Sequence, residues 1–282
     1  MEYIILGHEN PDVDSIISGY LLEKIMKKRG YDVSFIIPDK KVCKDTENIC
    51  NEFNIFLGKY FKDDMDKNAK YILVDHNERE VPGEIVAVID HHPCNIEYKC
   101  YFDVDDASST AYKIASYAEE ELSKKDIELA VLATFIDTVS FHSTKTRKSD
   151  ISWVNEMCTK YEFEYDDLYR HGLCLTDLKN VEDIMFNGLK KYDFDGFKIH
   201  CSYLQVEDIS KHSELIDEMI DKLKSYYIDN DISLFVFIIY DMSCFHTKVY
   251  EINEEVDTRE YNLYASRGNT IIPDIKKDYC DK

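Results

Sequence analysis

The sequence predicts an α/β fold in two domains. In the first half, short continuous apolar runs alternate with segments of helical period, joined by short polar turns. In the second half the order becomes strand, helix, strand, strand. Continuous apolar strands interleaved with helices indicate an N-terminal domain with a largely parallel sheet flanked by helices. The second pattern indicates a smaller C-terminal α+β domain. The expected division is 1–178 and 183–282, although no Gly-, Pro- or Ser-rich linker marks it.

Tyr3 to Gly7 is an unbroken apolar run, the mark of a strand buried on both faces. Ser15 to Lys28 has helical period, with Ile17, Tyr20, Leu21 and Ile25 on one face and Gly30 as its stop. Val33 to Ile37 is a second strand closed by Pro38, and Lys44 to Phe53 a weaker helix. Tyr71 to Val74 and Ile85 to Ile89 are the third and fourth strands, the latter after a Pro82-Gly83 turn, and Tyr98 to Val104 is an edge strand. Ser108 or Ser109 caps a helix over Ala111 to Leu122. More helices follow over Ile127 to Asp137, Ser149 to Lys160 and Glu164 to Leu175. The second half reads as a strand over Phe197 to Val206, a helix over Ser213 to Tyr227, and strands over Leu234 to Tyr240, Phe245 to Ile252 and Tyr261 to Ala265. The acidic stretch Glu251 to Glu260 is expected as a solvated turn.

Lys and Arg number 34 against 56 Asp and Glu, a formal charge of −22. Such a chain lacks the basic footprint that duplex nucleic acid or an anionic membrane requires. It does not exclude a small anion, because bound cations can invert the local field. The N-terminus has no signal-peptide pattern, and no run approaches the ~18 apolar residues of a spanning helix. Nine scattered cysteines without a CxxC read as reduced thiols in a cytoplasmic protein.

Three of the strands run into His and Asp. The first continues into Gly7-His8-Glu9-Asn10-Pro11-Asp12-Val13-Asp14-Ser15, the third into Asp75-His76-Asn77-Glu78, and the fourth into Asp90-His91-His92. Carboxyl ends of parallel strands share one edge, where ligands bind, so these groups are expected to converge. A lone strand-end Asp is usually a cap, and a lone His is usually structural. Five or six such groups at one edge instead suit a two-metal site for Mn²⁺, Co²⁺, Mg²⁺ or Zn²⁺, since crowded carboxylates repel unless cations separate them. His76 is expected to point away from that site, and Trp153 to pack.

His8-x-Asn10-Pro11-Asp12-x-Asp14-Ser15, Val74-Asp75-His76-Asn77-Glu78, Asp90-His91-His92 and Ala107-Ser108-Ser109-Thr110 resemble, in that order, the DHH phosphoesterase superfamily. The closer resemblance is to the manganese-dependent family II inorganic pyrophosphatases. Ala133 to Thr138 with Phe141 and Ser143, and Ala265 to Pro273 around Ser266-Arg267, favour that branch. The resemblance implies an active site in the cleft between the domains, holding two Mn²⁺ (or Co²⁺), with Mg²⁺ arriving on the substrate. It implies His8, Asp12 and Asp75 around one metal, and Asp14, Asp75, His91 and Asp137 around the other, with Asp75 bridging. Asp90 would orient the His91 ring, and His92 would face the substrate. Arg267 and either Lys190 or Lys191 would grip phosphate. The implied reaction is hydrolysis of pyrophosphate by a bridging hydroxide, with a small anionic phosphate as the partner and a homodimer left open.

One position departs from the family pattern. Gly268 stands where the family has Lys, which removes a phosphate contact. That keeps two alternatives open, an exopolyphosphatase and a weakened metal-binding regulatory homologue. Oligonucleotide or cyclic-dinucleotide hydrolysis is disfavoured, because the chain has only nine Gly and no GGG run.

Overall fold

The computed structural model describes residues 2–38, 42, 44–56, 67–77, 80–92, 99–104, 107–143, 146–165, 168 and 181–280. The chain forms two compact units, Met1–Gly172 and Leu173–Lys282.

The first unit holds β1 (Tyr3–Leu6), α1 (Val13–Lys28), β2 (Val33–Ile36), α2 (Lys44–Glu52), β3 (Lys70–Val74), β4 (Glu84–Asp90) and β5 (Tyr101–Val104). Helices α3 (Thr110–Ala118), α4 (Lys124–Asp137) and α5 (Lys148–Tyr161) follow. The strands lie in the order β2-β1-β3-β4-β5, and every neighbouring pair is parallel. From β1 the chain steps out to β2 on one side, then returns to β3 on the other. The order therefore reverses between β1 and β3, and such a reversal opens a crevice at the strands' carboxyl ends. Leu6 pairs with Leu73 and Val74 with Ile89, so the residues leaving β1, β3 and β4 emerge close together. The central strands carry unbroken apolar runs because both faces are covered: Ile5, Leu6, Tyr71, Leu73 and Val74 are all fully buried.

Two glycines set close approaches here. A Cβ on Gly19 would lie 2.1 Å from the Phe35 ring, so Gly19 lets α1 seat on β2. A Cβ on Gly7 would lie 2.4 Å from Ser15 Oγ, which keeps the β1 exit tight against the start of α1.

The second unit holds α6 (Val181–Ile184), β6 (Lys190–Phe194), β7 (Phe197–Val206), α7 (Ser213–Asp229), β8 (Leu234–Asp241), β9 (His246–Ile252), β10 (Val256–Tyr261) and α8 (Ile272–Tyr279). Its sheet runs β10-β9-β8-β7-β6, with only the β7–β8 pair parallel. Leu204, Val206, Phe235, Phe237 and Ile239 pack there with Ile216, Met219 and Leu223 of α7.

Two expectations fail in this unit, and two elements were missed. The strand expected over Tyr261 to Ala265 lies earlier, as β10, and the acidic stretch read as a turn is mostly the β9–β10 hairpin. Strand β6 and helix α8 were not anticipated. The physical reason is shared by the two strands: β6 and β10 are sheet edges with exposed polar faces, so neither carries an apolar run. In the first unit the third helix stops at Ala118, and Glu119–Glu121 form a 3-10 turn. Most of the helix expected over Glu164 to Leu175, with Cys43, Cys94, Cys174 and His171, lies outside the described residues. Among the described residues no helix is long and apolar enough to cross a membrane.

Candidate metal centre

The crevice between β1 and β3 is lined by the His and Asp residues that leave the strands. Asp75 sits at its centre, 1% exposed, in a left-handed backbone conformation (φ 60°) tied by its N–H to the Ile89 carbonyl at 3.0 Å. Asp and Asn tolerate this region better than most residues. The turn points each carboxylate oxygen at a different imidazole. His8 Nε2 lies 3.4 Å from Asp75 Oδ2, and His91 Nε2 lies 3.3 Å from Asp75 Oδ1. Asp12 Oδ1 is 3.5 Å from His8 Nε2, while Asp14 and Asp137 each place Oδ2 3.7 Å from His91 Nε2. Three overlapping groups result, His8-Asp12-Asp75, Asp14-His91-Asp137 and Asp75-His91-His92, each with its ligand atoms within 4.8 Å of one another.

Both rings are oriented for ligation. His8 Nδ1 lies 2.7 Å from the Glu9 carbonyl, and His91 Nδ1 lies 3.1 Å from that of Ala107. A carbonyl only accepts, so each Nδ1 carries a proton and each Nε2 is turned to the carboxylates, as in metal-binding histidines. Burial works against a charged ring at His8, but Asp12 and Asp75 outweigh it and push its pKa up to about 12. Burial opposes charge at His91 too; Asp75, Asp137 and Asp14 prevail and push it up to about 10. Burial and the neighbouring Asp75 raise the Asp14 carboxyl, whereas His8 and His91 overcome burial and hold Asp75 well below the usual carboxylate range. Buried Asp75 Oδ2 is met only by the ion-pair approach of His8 Nε2, outside strict hydrogen-bond geometry. Crowded carboxylates around two imidazoles form a donor set that fits divalent cations with mixed oxygen and nitrogen ligands.

The start of α3 braces this cluster. Asp14 accepts from Ser109 Oγ (2.8 Å), Thr110 N (2.7 Å) and Ala111 N (2.9 Å), and Thr110 Oγ1 donates to Asp75 Oδ1 (3.1 Å). Ser109 also caps α3, accepting from Tyr112 N at 3.2 Å. On the far side, Asp137 closes α4 just before Val139, Ser140 and Phe141, three successive left-handed residues (φ 51°, 52° and 67°).

One expectation needs correction. Asp90 does not hold the ring of His91, which the Ala107 carbonyl holds instead. Asp90 Oδ1 lies 2.9 Å from His92 Nδ1 and accepts from the backbone N–H groups of His91 (2.7 Å) and His92 (3.1 Å). Burial resists ionisation of Asp90, but the His92 contact outweighs it and lowers its pKa. Ring His92 is thus fixed by a carboxylate and stands 44% exposed. Two contributors escaped the sequence. Asn77 Nδ2 donates to Asp90 Oδ2 at 2.6 Å. Buried Lys113 donates to the carbonyls of Asp90 (3.0 Å) and Asp103 (2.9 Å), tying α3 to the ends of β4 and β5. A lysine on an amphipathic helix reads as solvent-facing, so only Asn77, inside the Asp75-His76-Asn77 run, had a signal. His76 joins none of the ligand groups among the described residues; its Nδ1 lies 2.9 Å from the Val74 carbonyl.

In the second unit, strand register separates the two candidate lysines. Lys190 pairs with Cys201 and Lys191 with His200, so they project from opposite faces of the sheet. Lys190 and Arg267 both act on the Cys201 thiol, whereas Lys191 acts on His200. Arg267 therefore shares a face with Lys190.

The DHH family's N-terminal domain matches residues 2–136. The probable manganese-dependent inorganic pyrophosphatase of Oceanobacillus iheyensis is 27% identical over 255 residues, covering 85% of this chain and 82% of that one. The manganese-dependent inorganic pyrophosphatase of Methanothrix thermoacetophila is 26% identical over 264 residues, with the same coverage. A Methanococcus jannaschii crystal structure, assigned as a family II inorganic pyrophosphatase, superposes with a TM-score of 0.74 at 21% identity, covering 99% of each chain. The stretch that matches the DHH family's N-terminal domain, residues 2–136, carries β1 to β4, the metal-ligand candidates at their ends and all but the last residue of α4.

Proposed function

We propose that this chain is a metal-dependent phosphoanhydride hydrolase that splits inorganic pyrophosphate into two orthophosphates. The observation that carries the reading is Asp75, whose two oxygens face different imidazoles at 3.4 and 3.3 Å. In this reading His8, Asp12 and Asp75 hold one divalent ion, and Asp14, Asp75, His91 and Asp137 hold a second. Bound Mn²⁺ (or Co²⁺) would supply Lewis acidity and acidify the attacking water, with Mg²⁺ neutralising the substrate. The chain's residues do the rest. Asp75 fixes the spacing of the two groups, and Ser109 with Thr110 stops the carboxylates swinging apart. His92, its Nδ1 held by Asp90, offers Nε2 to a phosphate oxygen. Arg267 and Lys190 draw charge from the terminal phosphates. The relatives named as manganese-dependent pyrophosphatases support this substrate and metal.

Phosphate release from pyrophosphate, tripolyphosphate and long polyphosphate, each with Mn²⁺, Co²⁺ or Mg²⁺, tests the reading. Pyrophosphate with Mn²⁺ is expected to be fastest, and Asp75→Asn to lower it by at least ~10³-fold while weakening Mn²⁺ binding. Full activity in Asp75→Asn would end the two-ion scheme.

Gly268 favours a second reading, polyphosphate as substrate. A Cβ there meets nothing within 4 Å, so a lysine fits. Gly268→Lys is expected to lower the KM for pyrophosphate roughly tenfold, the worth of one added charge-assisted contact. An unchanged pyrophosphate KM, with tripolyphosphate the better substrate of the unmodified protein, would favour polyphosphate.

A further inference from the structure

Arg267 is unusual in so acidic a chain. Among the described residues no carboxylate pairs with its half-buried guanidinium. Its neighbours are neutral. Nη1 donates to the Gly188 carbonyl at 2.5 Å, and the guanidinium carbon lies 5.4 Å from the centre of the Tyr203 ring. A ring face attracts a cation without neutralising it, and one carbonyl occupies one of five N–H donors. The group is held in place while its positive charge stays available.

Gly188 serves this arrangement twice. Its left-handed backbone (φ 57°) aims the carbonyl, and a Cβ there would stand 2.2 Å from Tyr203 Cε1, displacing the ring. We infer that Tyr203 and Gly188 are positioning residues that pre-organise Arg267 for an oxyanion of the substrate. This rests on the reading of Arg267 as a phosphate-gripping group. With Gly rather than Lys at 268, the orientation of this arginine carries more of the grip than it would with a lysine as its chain neighbour, since a preset side chain loses less entropy on binding.

Steady-state pyrophosphate hydrolysis by the full-length Mn²⁺-loaded protein tests the inference. Tyr203→Leu and Tyr203→Met, the latter close in length and without a ring, should each raise KM roughly five- to thirtyfold with kcat within about twofold. Tyr203→Phe, which keeps the ring face, should restore the wild-type KM. Gly188→Ala should raise KM in the same direction. In an Arg267→Gln background, Tyr203→Leu should add nothing, because what it positions is gone. A wild-type KM in both Tyr203→Leu and Tyr203→Met, beside a raised KM in Arg267→Gln, would overturn the positioning role. So would an additive double variant, or a Tyr203→Phe as impaired as Tyr203→Leu. A wild-type KM in Arg267→Gln itself would instead overturn the reading of Arg267.

Discussion

At the scale of single residues, the centre is a contest between protons and cations for the same lone pairs. His8 and His91 have pKa values pushed up to about 12 and about 10, from the ordinary 6.5. In the metal-free chain both rings are therefore protonated at neutral pH. Their stabilisation is fully present below pH 6.5 and is lost as pH rises through about 10 and then about 12. Divalent ions need those protons gone. Calorimetry of Mn²⁺ binding in buffers of different ionisation enthalpy should show net proton release at pH 7, with affinity rising from pH 6 to pH 8. Zero release would mean that the rings do not ligate. His8, Asp12, Asp14, Asp75 and His91 were legible because strand ends converge and these strands ran into His and Asp, whereas Asp137, at the end of α4, came only through the family resemblance. Which partner holds which ring was not legible. Asp90 directly precedes His91, and only the turn after β4 decides that it meets the ring of His92 instead.

At the scale of elements, α3 does two jobs at one end. Ser109 caps the helix and also donates to Asp14. Ser109→Ala should lower stability by about 1 kcal/mol in denaturant unfolding, and weaken Mn²⁺ binding roughly tenfold or more by freeing Asp14. Loss of stability with unchanged metal affinity would show that the backbone N–H groups of Thr110 and Ala111 suffice. Legibility at this scale follows burial. The central strands announce themselves, since strands covered on both faces must be apolar throughout. Edge strands β6 and β10 need no such run, and their polar residues imitate loops.

At the scale of the whole molecule, the charge of −22 and the proposed substrate pull in opposite directions, and in the proposed reading bound metal ions, Arg267 and Lys190 would resolve the conflict locally. A ligand that binds only the native state stabilises it by mass action, about 2.7 kcal/mol at a hundredfold excess over Kd. Mn²⁺ should therefore raise the Tm and EDTA reverse the gain, whereas Asp75→Asn should melt at the same temperature with or without the ion. An equal Mn²⁺ shift in Asp75→Asn would place the stabilising ion elsewhere.

The three left-handed residues after Asp137 bear on how such a protein can evolve. Each non-glycine residue in that conformation carries a penalty of about 1–2 kcal/mol. Ser140 is only half-buried, so Ser140→Gly would relieve its share without emptying the core. It should hold or slightly raise the Tm, yet loosen the turn that fixes Asp137 and so weaken Mn²⁺ binding, which paired melting and titration would detect. Selection for ruggedness alone would accept glycine there, and selection for a tightly built metal centre would refuse it.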